Sequence, residues 1–225
     1  MGANVVFPVD GGTSEGYLAE PSESGAPGIL VLPAWWGLGG QIRSVADRLA
    51  EEGFVVLAPD VYRGEMAVET DEAQKLAAAL PAERAAGDLT GAARYLAGIV
   101  GAPIGVMGFG LGGSLALWAA SLTDDVASAA AFYPLVPWQP KTPDWSALGG
   151  KAAIVHAADE DAATTGPELA LARKAVEEAG GEFTIYEYPG TKRGFYNDDR
   201  PDSYDHHAAV TAWARSLELF RRVAH

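Results

Sequence analysis

A glycine-rich turn at residues 104–114 has the pattern of a nucleophile elbow but contains no nucleophile. The segment reads IGVMGFGLGGS, which predicts a buried strand, a sharp turn and then a helix. In the G-x-S-x-G motif of such a turn, the central residue attacks the substrate. Here that residue is Gly110, which has no side chain and cannot attack. Glycine also relieves the strained backbone of an elbow, although an ordinary tight strand-to-helix turn would use glycine as well.

The nearest serine and the four histidines offer no evident replacement for the missing nucleophile and its base. Ser114 lies one turn into the helix after the elbow, where we expect it to pack against the strand. His156 ends a predicted strand, and we expect a hydrogen-bonded structural histidine there. His206 and His207 begin the last predicted helix, where solvent-facing or capping roles are expected, and His225 is terminal.

The composition predicts an acidic, cysteine-free protein of the cytoplasm. The chain has 225 residues, 48% of them hydrophobic, and a formal net charge of -14. That charge argues against binding to nucleic acid or to anionic membrane surfaces. Without cysteine there is no thiolate nucleophile and no disulfide. The sequence has no apolar run of membrane-spanning length and no signal peptide, so we expect a cytoplasmic monomer or dimer without a cofactor.

Strand and helix patterns alternate along the chain and predict one α/β domain over residues 1–225, with a mainly parallel central sheet and helices on both faces. An N-terminal hairpin precedes it, with a turn at Asp10-Gly11-Gly12. The predicted strands are Asn4–Val9, Tyr17–Glu20, Gly28–Leu32, Phe54–Ala58, Ile104–Met107, Val126–Phe132, Ala152–His156 and Glu182–Tyr188. The predicted helices are Gln41–Glu52, Val68–Leu80, Ala82–Leu96, Leu111–Ser121, Pro167–Ala179 and Tyr204–Arg222.

The loops that follow the strands are where a parallel α/β sheet places its functional residues. Four such loops are Pro33–Gly40, Pro59–Gly64, Phe109–Gly113 and Ala157–Thr165, and we expect the loop Pro189–Arg200 to join them.

With these loops placed, the chain resembles the dienelactone hydrolase family, which has the α/β-hydrolase fold. The resemblance covers nearly the whole chain and depends on four segments. They are LPAWWGL at residues 32–38, GFVVLAPDVYRG at 53–64, the elbow GFGLGGS at 108–114 and YPGTKRGFYNDDRPDSYD at 188–205. The resemblance implies descent from a carboxylic-ester or lactone hydrolase with a Cys-His-Asp triad.

Position by position, the resemblance implies that this triad is degenerate. The family's nucleophilic cysteine falls on Gly110, its catalytic histidine on Arg193, and an acidic residue that modulates the cysteine on Ala34. Only the triad acid is kept, as Asp159. The backbone N–H groups that stabilise an oxyanion, at Leu111 and near Ala34 or Trp35, are expected to remain.

Arg193 has two interpretations. It could form an ion pair with Asp159 that fills the space left by the triad, or it could create an anion-binding pocket beside the elbow. The predicted ligand-binding residues are Ala34, Trp35, Trp36, Leu111, Phe195 and Tyr196, with Trp138 and Trp145 as further aromatic candidates. Such aromatic side chains suit an aryl-sized ligand, although Trp35 and Trp36 could also pack beneath neighbouring loops.

Three functions from different classes remain open. The favoured hypothesis is a non-hydrolytic homologue that binds a small anionic or aromatic molecule in a pocket lined by Ala34, Trp36, Gly110, Asp159 and Arg193. The second is an enzyme of altered chemistry, such as a lyase, isomerase, cyclase or weak esterase. The third is a structural or regulatory partner protein with a vestigial pocket. The acidic residues Asp159, Glu160, Asp161, Asp198 and Asp199 lack the spacing of a calcium loop, so no metal site is predicted.

Overall fold

The computed structural model describes residues 2–135, 143–161 and 166–224, and within them eight strands form one sheet. The strands are β1 Ala3–Val9, β2 Gly12–Ala19, β3 Gly28–Leu32, β4 Val55–Pro59, β5 Ile104–Phe109, β6 Val126–Phe132, β7 Ala152–Ala158 and β8 Glu182–Tyr188. The helices are α1 Gly40–Glu51, α2 Thr70–Ala79, α3 Ala82–Val100, α4 Leu111–Leu122, α5 Pro167–Glu178 and α6 His206–Val223, with a short 3₁₀ helix at Trp145–Leu148.

The sheet runs in the order β1-β2-β4-β3-β5-β6-β7-β8. The pairings β1–β2 and β2–β4 are antiparallel, and all pairings from β4 to β8 are parallel. The predicted fold class is therefore confirmed: a mainly parallel α/β sheet preceded by an antiparallel hairpin. Because the parallel strands all point the same way, their carboxyl ends bring the following loops to one edge.

Each face of the sheet carries its own hydrophobic core. On one face, α3, α4 and α5 pack against the sheet, and on the other α1 and α6 do so. Strands β3, β4 and β5 are buried along their whole length, which explains their continuous apolar sequences. In α1, the predicted apolar stripe Ile42, Val45, Ala46 and Leu49 is buried against the sheet.

Several element boundaries differ from the prediction by a few residues, and α3 runs on to Val100 instead of ending at Leu96; two of the differences have clear local reasons. Strand β2 begins at Gly12 instead of Tyr17, because the hairpin pairing starts directly at Val9–Gly12 and runs through polar residues. Helix α6 begins at His206 instead of Tyr204, because the Asp205 side chain accepts a hydrogen bond from the Ala208 amide at 2.9 Å and caps the helix there. Among the described residues, no helix is both long and apolar enough to cross a membrane.

Candidate functional site at the glycine elbow

The elbow conformation is present although its nucleophile is not. Gly110 joins β5 to α4 with φ 55° and ψ -115°, a combination that side-chain-bearing residues rarely adopt. Its amide donates to the Phe132 carbonyl at 2.9 Å, and this bond ties the turn to the neighbouring strand β6. A Cβ added at Gly110 would find only the Ala34 Cβ, 3.9 Å away. The turn therefore has room for a side chain at this point and holds none.

The two flanking glycines are required for a different reason, which is close packing. A Cβ at Gly108 would collide with the Gly112 carbonyl, and a Cβ at Gly112 would collide with the Leu32 carbonyl. Any side chain at either position would separate α4 from the strands beneath it.

A cavity of about 140 Å³ opens in front of Gly110. Much of its lining is apolar, from Ala34, Trp35, Trp36, Phe109, Leu111 and Leu135. Side chains that carry polar groups also line it: Gln41, Tyr133, Arg193, Asn197 and Arg200. The volume is close to that of a cavity that holds a benzene ring, about 150 Å³. The structure thus brings Ala34, Trp35, Trp36, Leu111 and Arg193 together around Gly110.

The partner predicted for Arg193 is wrong. Arg193 Nη2 donates to Asp161 Oδ1 at 2.7 Å, and the Asp161 side chain is only 10% exposed. Asp159 is exposed, does not line the cavity, and accepts a hydrogen bond from the Gly190 amide at 3.0 Å. The chain turns just after β7, where the Asp161 amide donates to the Ala158 carbonyl at 3.1 Å. We attribute the pairing of Arg193 with Asp161 instead of Asp159 to this turn, which the spacing of residues in the sequence does not indicate.

Phe195 and Tyr196 do not line the cavity, contrary to the prediction. Phe195 is fully buried, with its ring 5.3 Å from that of Tyr133 and 5.0 Å from that of Tyr188. Tyr196 stacks on Phe109 at 5.0 Å and accepts a hydrogen bond from Arg48 at 3.1 Å. Both aromatic rings belong to the core on the α1 and α6 face of the sheet. They support the cavity from behind because Tyr196 packs on the cavity-lining Phe109.

The other two aromatic candidates lie elsewhere. Trp145 packs edge-on against Phe183, 6.0 Å away, in the core on the opposite face of the sheet. Trp138, like residues 162–165 of the predicted loop Ala157–Thr165, lies outside the described residues.

Arg200 is a cavity residue that the sequence analysis did not single out. Its guanidinium carbon lies 4.1 Å from the centroid of the Trp36 ring, a cation–π distance. Trp36 itself is held by the Ala67 amide, which donates to its carbonyl at 3.1 Å, and by an edge contact with Trp35. Its position in the sequence could have indicated this role, because Arg200 is the last residue of the loop Pro189–Arg200, which was expected to reach this edge of the sheet.

Tyr133 is a second cavity residue that was not singled out. It follows β6 with φ 38°, an uncommon conformation for a bulky residue, and its amide donates to the His156 carbonyl at 2.7 Å. Burial raises the pKa of its hydroxyl above the ordinary tyrosine value, so the group stays protonated at neutral pH. A strained backbone beside a cavity is a feature of functional sites, and no local sequence pattern indicates the positive φ of Tyr133.

Comparison with known proteins places the chain in a family. The family model "Dienelactone hydrolase family" matches residues 14–224. The chain belongs to the dienelactone hydrolase family. It is 32% identical to "Protein usf" of Aquifex pyrophilus, and 31% identical to the "Putative carboxymethylenebutenolidase" of Aquifex aeolicus. Each alignment covers 98% of both chains.

Solved structures have the same fold. A Klebsiella pneumoniae protein described as a "Putative Dienelactone Hydrolase" superposes with a TM-score of 0.87 at 23% identity, covering 99% of this chain and 98% of the other. The metagenomic "Dienelactone Hydrolase-like Promiscuous Phospotriesterase P91" does so with a TM-score of 0.82 at 16% identity and the same coverage. At these identities the likeness concerns the fold.

Among the described residues, no serine or histidine side chain lines the cavity. Ser114 is buried and donates to the Leu135 carbonyl at 2.5 Å. Asp205 caps α6, and His206 and His207 are exposed at its start. His225 lies outside the described residues. The described part of the chain also contains no group of three His, Cys, Asp or Glu side chains that could hold a metal ion.

His156 is a structural histidine, as expected. It is fully buried, with Nδ1 2.8 Å from the Tyr188 hydroxyl and Nε2 3.0 Å from the Ser216 hydroxyl. The Ser216 hydroxyl donates its proton to the Ala212 carbonyl, so it must accept from His156 Nε2–H, which leaves Nδ1 to accept from Tyr188. Burial, assisted by the charge of Arg215, lowers the pKa of His156 to about 3. The imidazole is therefore neutral, and both of its nitrogens are engaged.

Proposed function

We propose that this dienelactone hydrolase homologue binds a small anionic or aromatic molecule in the elbow cavity and does not hydrolyse esters by the triad of its family. The observation that carries the proposal is Gly110, which holds the elbow conformation beside an open space without any nucleophilic atom. Triad catalysis needs an activated nucleophile and a base held by a third group. The position expected for the base holds Arg193, a permanent cation that cannot accept a proton.

The expected loss of rate is large. In triad hydrolases, removal of triad members leaves roughly 10³–10⁴-fold acceleration over water, from oxyanion donors and substrate binding alone. One such donor is available here, since Leu111 is the first residue of α4 and its N–H has no acceptor within the helix. Any remaining ester hydrolysis should therefore be feeble and should not depend on a triad acid.

The cavity itself supports ligand binding. Its apolar lining and its volume of about 140 Å³ suit one aromatic ring, and the guanidinium groups of Arg193 and Arg200 supply donors for an anion. A vestigial pocket should instead be filled by neighbouring side chains. An enolate-stabilising enzyme would need the full charge of Arg193 beside the elbow, which Asp161 partly neutralises, whereas an anionic ligand can also bind the N–H donors of Arg200. The open cavity thus favours ligand binding over a vestigial pocket, and the Arg193–Asp161 pair favours ligand binding over an enolate-stabilising enzyme.

The first test is ester hydrolysis. Purified protein is assayed with p-nitrophenyl acetate and with a dienelactone, beside the variants Asp159→Ala and Asp161→Ala and a buffer blank. We expect all three proteins to differ little from one another. Turnover well above the blank that either substitution abolishes would overturn the proposal, because it would require a working nucleophile and its acid.

The second test is ligand binding, measured as a shift in the melting temperature with benzoate. A ligand that binds only the native state at 100 times its Kd stabilises it by about 2.7 kcal/mol. The variant Ala34→Leu directs a larger side chain toward the space at Gly110 and should abolish the shift. The matched control Ala78→Leu, on the exposed surface of α2, should retain it. Equal shifts in both variants would place the ligand elsewhere.

A further inference from the structure

An ion pair outside the cavity joins the loop after β4 to helix α3. Arg63 Nη2 lies 3.4 Å from Asp88 Oδ1, and the Asp88 side chain is only 2% exposed. The other carboxylate oxygen, Oδ2, is buried and accepts no hydrogen bond from a described residue. Besides Arg63, the charged groups that act on this carboxylate are Arg84, one turn earlier on α3, and Asp60, which repels it. Neither Arg63 nor Asp88 lines the cavity.

Stability alone does not account for this pair. Burial raises the pKa of Asp88 against the opposing effect of Arg63 and Arg84, so its ionised form is less favourable in the folded protein than in the unfolded chain. Arg63 adds a second cost, because its φ of 55° lies in the left-handed region that side-chain-bearing residues rarely adopt. Costly features of this kind are frequent at functional positions. The pair is better explained by the segment that it holds in place.

That segment, residues 64–69, lies against the backbone of the cavity wall. The Ala67 amide donates to the Trp36 carbonyl at 3.1 Å. A Cβ at Gly37 would lie 2.8 Å from the Glu65 carbonyl oxygen, so the two stretches of chain are in direct contact. Because Trp36 lines the cavity, a shift of residues 64–69 would remove the outer support of the cavity wall.

Apolar contacts anchor residues 64–69 and the following helix only weakly. Met66 and Val68 are 60% and 82% exposed. In α2, whose residues are all described, Ala73 is the only buried residue. A segment with so few buried apolar groups opens at a low cost in free energy unless polar contacts hold it.

Two carboxylates supply those polar contacts, and they act differently. Asp60 accepts hydrogen bonds from the Tyr62 and Gly64 amides at 3.1 and 2.6 Å, and these bonds shape the turn itself. Asp88 lies on another element, so its bond from Arg63 fixes the turn relative to α3. The Arg63 side chain is 50% exposed and is free to turn into solvent once this bond is lost.

We propose that Asp88 is a positioning residue for the elbow cavity. Through Arg63 it holds residues 64–69 against Trp36, and the separation of this ion pair sets the rate at which a ligand enters and leaves the cavity. While the pair is intact, Trp36 stays in the cavity wall. The statement about ligand exchange rests on the proposed function, whereas the statement about residues 64–69 does not.

The first test measures the opening of the segment without any ligand, as hydrogen exchange of the Ala67 amide followed by NMR. Asp88→Asn keeps the shape of the side chain and removes its charge, so Ala67 should exchange roughly 10-fold faster or more. The Gly110 amide, which is hydrogen-bonded within the central sheet, should exchange as in wild type. The matched control Asp10→Asn breaks an exposed ion pair of the same length, 3.4 Å to Arg94, and should change neither amide.

A second variant approaches the same contact from its exposed side, where a folding defect is not expected. Arg63→Gln should accelerate Ala67 exchange as much as Asp88→Asn, and the double variant should add little to either change, as expected for two partners of one contact. The midpoint of urea unfolding should stay close to that of wild type in all three variants. Unchanged Ala67 exchange would overturn the inference. Faster exchange at both Ala67 and Gly110 with a lower midpoint would do so too, because it would indicate general structural support.

The second test follows benzoate binding by stopped-flow tryptophan fluorescence. Asp88→Asn and Arg63→Gln should raise the association and dissociation rates together, with a smaller change in Kd, and Asp10→Asn should retain the wild-type rates. If the first two variants speed Ala67 exchange but leave both rates unchanged, Asp88 does not position the cavity wall and the inference fails. If wild-type protein binds no benzoate, the proposed function fails, and Ala67 exchange still decides whether Asp88 holds residues 64–69.

Discussion

The replacement Gly110→Ala measures how far the elbow backbone is strained for any residue other than glycine. An added Cβ meets no atom closer than 3.9 Å, so the substitution creates no clash. The cost must come from the conformation itself, φ 55° and ψ -115°, which is worth about 1–3 kcal/mol for a residue with a Cβ. For a chain of this size, each kcal/mol lowers the melting temperature by roughly 2–4 °C. Urea unfolding followed by circular dichroism gives the free energy directly.

Two other glycines calibrate the measurement. Gly40 begins α1 with no atom within 4 Å of an added Cβ and without a positive φ, so Gly40→Ala should be neutral or slightly stabilising. Gly112→Ala drives a Cβ into the Leu32 and Pro33 carbonyls and should cost more than Gly110→Ala, since backbone must move. If Gly110→Ala proves as stable as Gly40→Ala, the elbow is not held in the strained conformation, and the argument for an inherited nucleophile position fails.

Three further predictions concern charged groups and the positions that correspond to the family's triad. The pKa of His156 is about 3 in the folded protein and about 6.5 in the unfolded protein, so the unfolded state takes up a proton first as pH falls. The free energy of unfolding should therefore drop by about 2 kcal/mol between pH 7.5 and 5. Urea unfolding of His156→Gln should lack this dependence of the free energy of unfolding on pH. Asp161→Asn should cost about 1–2 kcal/mol because it leaves Arg193 without its anionic partner, whereas Asp159→Asn should change the free energy of unfolding by less than about 0.5 kcal/mol. The double variant Gly110→Cys with Arg193→His should hydrolyse p-nitrophenyl acetate at least about 10-fold faster than wild type. Adding Asp161→Asn to this variant should remove most of the gain in rate. If the double variant shows no gain in rate, the elbow does not present residue 110 to the substrate.

The sheet and the elbow could be predicted from the sequence because their signals are local. The runs Gly28–Leu32 and Ile104–Met107 are apolar on both faces, which is typical of strands buried between two helical layers. The position of the elbow could be predicted because its glycines are required by the steric constraints of such a turn, whatever the surrounding sequence. Gly110 needs a positive φ, and Gly112 needs close contact with β3.

The predicted residues of the site were wrong where two neighbouring residues of the same chemical type could each occupy the same position in the fold. Asp159 and Asp161 are both acidic and two positions apart, and only the turn after β7 decides which of them faces Arg193. Phe195 and Tyr196 are aromatic in either role, so composition could not tell a core ring from a cavity wall. Arg200 was missed because its partner Trp36 lies near the other end of the sequence, and nothing local indicates that the two loops meet.

The cavity is assembled from segments that are far apart in the chain. Ala34 follows β3, Gly110 follows β5, Tyr133 follows β6, and Arg200 precedes α6. None of these segments can form the cavity alone, because each reaches it only after its strand has joined the sheet or, for Arg200, after the last helix has docked. Occupancy of the cavity by a small aromatic molecule would therefore report that the whole chain has finished folding. A fluorescent ligand for this site would serve as a reporter of late assembly steps, distinguishing fully folded molecules from those with only part of the sheet in place.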